Sequence, residues 1–348
     1  MQKSIDENES DWYNYIVSLC YPKRSRKVVL LLKTQKALLI VNPCAGRNNK
    51  RLAPLEIVKK FSQPEWDTDI RTTRCQGDAT TIVREIGAQY DVILCCGGDG
   101  TLNEVINGLM CLDRKVPVGY IPSGSTNDLA STLGIPTELG ASADLIRSGK
   151  KNSYDLGTLD GKYFTYIASF GVATDLSYST PQKLKNMFGH AAYMINGFVI
   201  RLIPMLLNFK PVHMKIEYDD GVIEDDFYFG SVSNSTSVAG LFKFKDVKLN
   251  DGYLELFMVK GLKRNVDALK MLKKAIAQDY DGVQMMIVKT KKVKITCDQD
   301  VPWTLDGEFG GTHRDCELEV VHNAFEIFSD NNELFVDNKS DIKITDAD

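Results

Sequence analysis

The chain has few histidines, no Cys-x-x-Cys pair and no surplus of basic residues, and each shortage excludes a class of function. The four histidines are scattered over 348 residues, which argues against a metal site or a catalytic dyad built from histidine. The eight cysteines show no regular spacing, so we expect reduced thiols in a cytoplasmic protein. The net charge of −4 argues against nucleic acid as a partner, because phosphate-backbone binding favours a basic surplus.

The pattern of charged and apolar residues along the sequence also predicts no secretory signal and no clear membrane span. The first dozen residues are acidic and polar rather than basic and then apolar. The apolar run 28–32 is far too short for a bilayer, which needs about 20 residues. The run 187–209 is long enough but contains charged and polar residues and Pro204. It fits a broadly apolar helix, and its composition leaves open whether that helix belongs to a core or forms the wall of a cleft.

The composition that is present is globular, with 43% hydrophobic and 25% charged residues. The length allows two domains. We expect an N-terminal extension (1–34), an α/β domain (35–157), a β-rich domain (158–328) and a C-terminal tail (329–348). The extension has four cations within residues 23–27, and such a cluster can contact an anionic membrane surface. A solvated or packed arm is the alternative.

Short apolar runs in the first domain alternate with helical patterns. The runs at 37–41, 69–73, 91–96 and 116–121 predict strands, and polar turns follow them. This alternation predicts a largely parallel sheet with a ligand at the carboxyl ends of its strands. Beyond about residue 155, strand-like runs follow one another with few helices between them, which predicts a second, β-rich domain.

The segment 97–104, with the sequence GGDGTLNE, follows one of these strands. Three glycines in four positions leave room for a polyphosphate to contact backbone N–H groups directly. Thr101 and Glu104 have the spacing of a capping box, which predicts that the next helix begins there. An ordinary tight turn is the alternative interpretation of this segment alone.

Six segments taken together resemble the diacylglycerol kinase catalytic domain superfamily, and within it the soluble bacterial lipid kinases. In chain order they are VNP at 41–43 with Gly46, GGDGTLNE at 97–104, PSGSTND at 122–128, ASFG at 168–171, NDGYL at 250–254 and DGE at 306–308. The resemblance covers residues 36–328. It implies an α/β domain related to those of NAD kinases and phosphofructokinases, a C-terminal β-sandwich, and ATP in the cleft between them.

The resemblance also implies site residues. Contacts to ATP are expected at Asn42, Pro43, Gly46, Thr73, Gly98, Asp99, Gly100, Thr101, Asn103, Glu104 and Ser125. Ser125 stands where the family commonly has threonine, and the hydroxyl is retained. The catalytic base is expected in the DGE segment, at Asp306 or at Glu308, with Asp306 favoured. A positioned carboxylate can take the proton of a lipid hydroxyl that attacks phosphorus.

A magnesium site is implied in the same way. Its expected ligands are the carboxylate of Asp251 and the backbone carbonyls of Lys248 and Tyr253, with Asp99 and Asp128 joined through water. Oxygen ligands and retained waters suit Mg²⁺. A separate Mg²⁺ is expected to accompany ATP.

The expected function is therefore that of an ATP-dependent lipid kinase at the membrane surface. Diacylglycerol is the favoured acceptor. A homodimer is one expected assembly. Other lipid alcohols, such as a sphingoid base or phosphatidylglycerol, are alternatives. So is a soluble acceptor such as NAD. A protein that binds a nucleotide or a lipid without catalysis is a third hypothesis, disfavoured by the carboxylates in the motifs.

Overall fold

The computed structural model describes residues 34–46, 54–63, 65–171, 210–238, 242–260, 274 and 285–336. Residues 1–33 of the expected extension, including the basic cluster, lie outside the described residues. So do the apolar run 187–209 and the end of the chain from residue 337.

The first half of the described chain alternates strands and helices. In order they are β1 (Gln35–Val41), α1 (Pro54–Phe61), β2 (Trp66–Thr72), α2 (Asp78–Ile86), β3 (Val92–Gly97), α3 (Asp99–Leu109), β4 (Val118–Pro122), α4 (Asp128–Leu133) and α5 (Leu139–Ser148). A 3-10 turn, Gly87–Gln89, precedes β3. The four strands predicted here are all present, with ends that differ by at most three residues.

The second half is rich in strands, as the sequence predicts. Its strands are β5 (Lys151–Leu159), β6 (Lys162–Phe164), β7 (Ile167–Gly171), β8 (Val212–Tyr218), β9 (Gly221–Ser233), β10 (Ser237–Val238), β11 (Phe242–Lys243), β12 (Leu254–Lys260), β13 (Met285–Thr290), β14 (Lys292–Leu305) and β15 (Glu308–Phe328). A 3-10 turn, Asn332–Leu334, follows.

Thirteen of these strands form one sheet in the described part of the chain. Along it the order is β13-β12-β9-β7-β14-β15-β4-β3-β1-β2, with β5, β6 and β8 paired off this path. The strands β1 to β4 pair in parallel with one another. In the second half the pairings are antiparallel, and β15 joins β4 in parallel at Ile327 and Val118. The sheet as a whole is thus mixed rather than largely parallel, because the long β15 continues it from one half into the other.

The expected division at residues 157 and 158 falls inside β5, which pairs with β15 from Lys151 to Leu159. The start of the expected tail also packs onto the body. Ser329 and Phe335 are buried, and the Val336 N–H donates to Asn250 Oδ1 over 2.7 Å.

Helices cover both faces of β1, β3 and β4, so these strands are apolar on both faces, whereas β2 is a largely exposed edge strand. On one face Leu39 and Leu94 pack with Phe61 of α1, and on the other Leu38 and Ile93 pack among residues of α2 and α3. This burial leaves only the ends of the strands available for polar chemistry.

A separate apolar cluster fills the strand-rich half. Trp303 and Phe170 are fully buried there, with ring centroids 4.9 Å apart. These two residues pair across β14 and β7, and Trp303 lies three residues before Asp306 in the chain. The core therefore holds the end of β14 rigidly in place.

Candidate active site

Three glycine-containing turns meet at the carboxyl ends of β1, β3 and β4. A Cβ atom on Gly124 would lie 2.5 Å from the Cα of Gly98, and one on Gly46 would lie 2.5 Å from the carbonyl oxygen of Ser123. The Ser123 N–H also donates to the carbonyl of Gly97 over 2.8 Å. Glycine is needed at these close approaches, because any side chain would push the turns apart. The turns therefore line one edge, as the sequence predicts.

Two asparagines hold these turns in shape. Asn127, buried with φ at +53°, accepts from the Gly124 N–H and donates back to the Gly124 carbonyl. Asn42 donates to Thr101 Oγ1 over 2.9 Å and accepts from the Cys44 N–H. The side chains of Asn42 and Thr101, both expected to contact ATP, thus bind each other and set the turn geometry.

The helix after the glycines does not begin with the predicted capping box. It starts at Asp99, Gly98 is the N-cap, and no side chain caps it. Glu104 instead accepts hydrogen bonds from the Gly77 and Ala79 N–H groups, at 2.9 and 3.2 Å, and so caps the first turn of α2. Because the N-cap is Gly98, three residues before Thr101, Glu104 does not cap this helix and instead faces α2. Its carboxylate thus has a structural role at α2, and its expected contact with ATP stays a prediction.

Asp99 lies where the glycine turn meets α4. Burial raises the pKa of its carboxyl, and hydrogen bonds from the backbone N–H groups of residues 127–129 oppose that rise. Its Oδ1 atom is buried and has no hydrogen-bond partner among the described residues. Asp99 therefore keeps one oxygen available for a ligand at this edge.

Asp306 occupies a two-residue hairpin turn between β14 and β15. Asp306 and Gly307 both have positive φ, +49° and +85°, as such a tight turn requires. The carboxylate accepts from the backbone N–H groups of Thr165, Tyr166 and Ile167, at 2.6, 3.0 and 3.1 Å. The chain leaves the sheet between β6 and β7, at Thr165 and Tyr166. That break frees the N–H groups that hold Asp306.

Asp306 also contacts the glycine-rich half of the chain. Asn103 Nδ2 donates to Asp306 Oδ2 over 2.8 Å, which joins residues 203 positions apart. Asn107 Nδ2 donates to Asn103 Oδ1 over 2.9 Å, so the Asn103 amide can only present its N–H₂ group to Asp306. Burial raises the pKa of Asp306, and the three backbone N–H groups oppose this.

Asp99 and Asp306 line one small cavity. The other residues that line it are Leu102, Leu129, Thr165 and Tyr166. The Tyr166 hydroxyl lies 3.5 Å from Asp128 Oδ2. The structure thus brings together three carboxylates that the sequence singled out: Asp99, Asp128 and Asp306.

Other predicted site residues lie around this centre or away from it. Pro43, Gly100, Ser125 and Glu308 are exposed, and Thr73 is half-buried with its N–H bound to the Val41 carbonyl. Glu308 begins β15, beyond the hairpin turn, whereas Asp306 lies in the cavity. The geometry therefore favours Asp306 over Glu308 as the group that meets a substrate.

The Asp251 carboxylate, which is expected to bind magnesium, has other partners. Asp251 Oδ2 lies 2.7 Å from Lys289 Nζ, and Oδ1 accepts from the Tyr253 N–H over 3.1 Å. The described residues contain no group of three His, Cys, Asp or Glu side chains that could hold a metal. An ammonium already neutralises Asp251, so this donor set does not fit Mg²⁺.

Sequence reasoning missed Asn107 and the backbone N–H groups of residues 165–167. The helical spacing of Asn103 and Asn107, four residues apart, could have indicated that their amides meet. No local signal marks the N–H groups of residues 165–167, because their role depends on a hairpin formed 140 residues later.

In the described part of the chain, no helix has the length and apolarity to cross a membrane.

Comparisons with known proteins agree with this geometry. Residues 36–159 match the family described as the diacylglycerol kinase catalytic domain. The chain is 36% identical over 282 residues to the diacylglycerol kinase of Bacillus subtilis (strain 168), covering 80% of this chain and 91% of the relative. It is 35% identical to that of Staphylococcus saprophyticus, covering 80% and 90%. A crystal structure of a diacylglycerol kinase from Bacillus anthracis str. Sterne gives a TM-score of 0.65 at 25% identity, covering 86% of this chain and 98% of that one.

The length and identity of these matches place the whole described fold, and not the glycine segment alone, among phosphoryl-transfer enzymes. The chain belongs to the diacylglycerol kinase family. It is a lipid kinase, a phosphotransferase whose acceptor is an alcohol group, and the family implies ATP as the donor.

Proposed function

We propose that the protein transfers the γ-phosphoryl group of ATP to the primary hydroxyl of diacylglycerol and so produces phosphatidic acid. The relatives with which it shares most of its length carry the name of this activity. One observation carries the proposal. The Asp306 carboxylate is hydrogen-bonded to Asn103 on the helix that follows the glycine turn, which puts a candidate base beside a candidate phosphate site.

The edge formed by the glycine turns would bind the triphosphate. Backbone N–H groups around Gly98 and Gly124 and at the start of α3 are suited to phosphate oxygens. The Mg²⁺ that accompanies ATP would be held by Asp99 and Asp128, since Asp99 Oδ1 is buried without a protein partner. When bound, it would neutralise charge on the phosphates.

Asp306 would act as the general base. As the lipid oxygen forms its bond to the γ-phosphorus, its O–H bond breaks and the proton passes to the carboxylate, while ADP leaves with the electrons of the broken P–O bond. The three backbone N–H groups fix the direction of the carboxylate, and burial raises its pKa above the ordinary value for aspartate. A base with a raised pKa accepts a proton more readily at neutral pH.

A lipid acceptor is supported by an exposed aromatic residue close to the base. Phe309 is 61% exposed, three residues after Asp306. We propose that this end of the hairpin contacts the membrane surface peripherally. We also propose that the strand-rich half over 158–328 acts as a β-sandwich domain. In addition, we propose that two chains form a homodimer. Sedimentation with vesicles that contain diacylglycerol tests the membrane contact, and light scattering of the purified protein tests the dimer.

The decisive experiment is the substitution Asp306→Asn. Loss of a general base should lower kcat by about 100-fold or more, whereas ATP affinity should stay within about two-fold of the wild-type value. Transfer of labelled phosphate is measured with a panel of diacylglycerol, a sphingoid base, phosphatidylglycerol and NAD. Labelling of NAD in preference to every lipid would contradict a lipid acceptor.

The chain offers a matched control for this substitution. Asp160 and Gly161 form a second Asp-Gly hairpin turn, between β5 and β6, with φ values of +47° and +81°. The substitution Asp160→Asn makes the same chemical change in the same backbone conformation, outside the cavity. It should leave kcat unchanged, and an equal loss of kcat in both variants would mean that the effect of Asp306→Asn is structural.

A further inference from the structure

One corner of the strand-rich half contains a lysine where the sequence predicts a metal ion. Lys289, on β13, places its Nζ atom 2.7 Å from Asp251 Oδ2 and 2.9 Å from the carbonyl oxygen of Asp246. The Asp251 side chain is 16% exposed and that of Lys289 is 37% exposed. The ammonium thus bridges both ends of the turn 246–251, which leads into β12.

A buried carboxyl group lies beside this bridge. Glu255 is 1% exposed, and neither of its carboxyl oxygens has a hydrogen-bond partner among the described residues. Glu255 and Lys289 are directly paired between β12 and β13, so their side chains point to the same face of the sheet. Burial raises the pKa of Glu255 to about 8, whereas the charge of Lys289 lowers it.

The corner therefore collects oxygen atoms of the kind that a divalent cation prefers: two carboxyl groups and a backbone carbonyl. A cation is already present, and it is covalently attached. A divalent ion bound to Asp251 would have to displace the ammonium or lie within a few ångströms of it, and like charges at that distance repel strongly in a partly buried site.

We propose that the Lys289 ammonium is the resident cation of the turn 246–251, that this turn folds without a divalent metal, and that removal of the ammonium creates a divalent-cation site on Asp251, Glu255 and the Asp246 carbonyl. The inference concerns stability and metal binding and does not depend on the acceptor of the kinase.

The test compares the full-length wild type with Lys289→Met, which keeps an unbranched side chain, one atom shorter, but removes its charge. Lys289→Arg retains the charge, and Lys292→Met removes a lysine that pairs with Glu317 and Glu319 on the surface. Melting temperatures are measured without nucleotide, in EDTA and in MgCl₂. Any ion bound at the glycine turns is common to all variants, so the difference between their Mg²⁺ shifts reports on this corner.

We expect Lys289→Met to melt a few degrees below the wild type in EDTA and to recover at least half of that loss in MgCl₂. Lys289→Arg and Lys292→Met should show the same Mg²⁺ shift as the wild type. The proposal is overturned if Lys289→Met melts like the wild type in EDTA, or if its Mg²⁺ shift is no larger than that of Lys292→Met. It is also overturned if Asp251→Asn in the wild-type background abolishes a Mg²⁺ shift, since that would show a metal bound despite Lys289.

Discussion

The hydrogen bond between Asn103 and Asp306 gives the sharpest quantitative prediction. The substitution Asn103→Asp replaces the donor of this bond with a second carboxyl group, and Asn103→Ala removes the donor without adding charge. Two carboxylates with oxygens about as close as the present 2.8 Å contact would repel by about 6 kcal/mol at an effective dielectric constant of about 20.

The pair will relieve this repulsion by keeping one proton, so one carboxyl of the folded variant will have a raised pKa. In the unfolded chain both groups titrate near the ordinary value of about 3.9. Between that value and the raised folded pKa, the folded state binds more protons than the unfolded state. Its stability must therefore fall as pH rises through this window.

Each unit of raised pKa corresponds to about 1.4 kcal/mol, so a rise of two units or more predicts a loss of about 3 kcal/mol between pH 4 and pH 8. Denaturant titrations at both pH values measure the free energy of unfolding. The relevant quantity is the difference between Asn103→Asp and Asn103→Ala, because this cancels the pH dependence of the rest of the protein.

Asn332→Asp supplies the same change of charge at an exposed position, and it should follow the wild type at both pH values. If Asn103→Asp also follows Asn103→Ala at pH 4 and at pH 8, the two carboxyl groups are not in contact in solution. The link between the two halves of the site would then be refuted.

Two further predictions concern the glycine turns and Glu104. Gly124→Ala would place a methyl group 2.5 Å from the Gly98 Cα. This substitution should lower the free energy of unfolding by about 1–3 kcal/mol and weaken ATP binding. The control Gly100→Ala, which has open space around the added atom, should keep wild-type stability. Equal stability of the two variants in denaturant titrations would show that the turns do not pack as described. Glu104→Ala should lower the free energy of unfolding by about 1–3 kcal/mol, because it leaves the Gly77 and Ala79 N–H groups unpaired. The KM for ATP should stay within about two-fold of the wild-type value. A large rise in KM with unchanged stability would show that Glu104 contacts the nucleotide instead.

The sequence predicted the strands of the first half well because their signals are local. Runs such as 37–41 and 92–96 are apolar throughout, as strands between two layers of helices must be, and glycine-rich turns follow them. The position of these turns at one edge then follows from the parallel pairing of β1, β3 and β4.

The partner of each polar side chain was harder to predict. The spacing of Thr101 and Glu104 satisfied a local capping rule, yet the helix begins at Asp99 and Glu104 binds α2 instead. The sequence predicted metal ligation at Asp251 only through a resemblance, and it contained no sign that Lys289, 38 residues later, would reach that carboxylate. Both outcomes depend on which elements pack side by side.

The sequence by itself determined the glycine-rich turns at the ends of the strands, because glycine tolerance and apolar periodicity act within a few residues. It also determined the family, through ordered motifs spread over most of the chain. Only the tertiary structure decided what Asp306 contacts. Its carboxylate is held by N–H groups 139 to 141 residues earlier and by Asn103. Such contacts form only when distant segments fold together and a partly buried carboxylate must find donors.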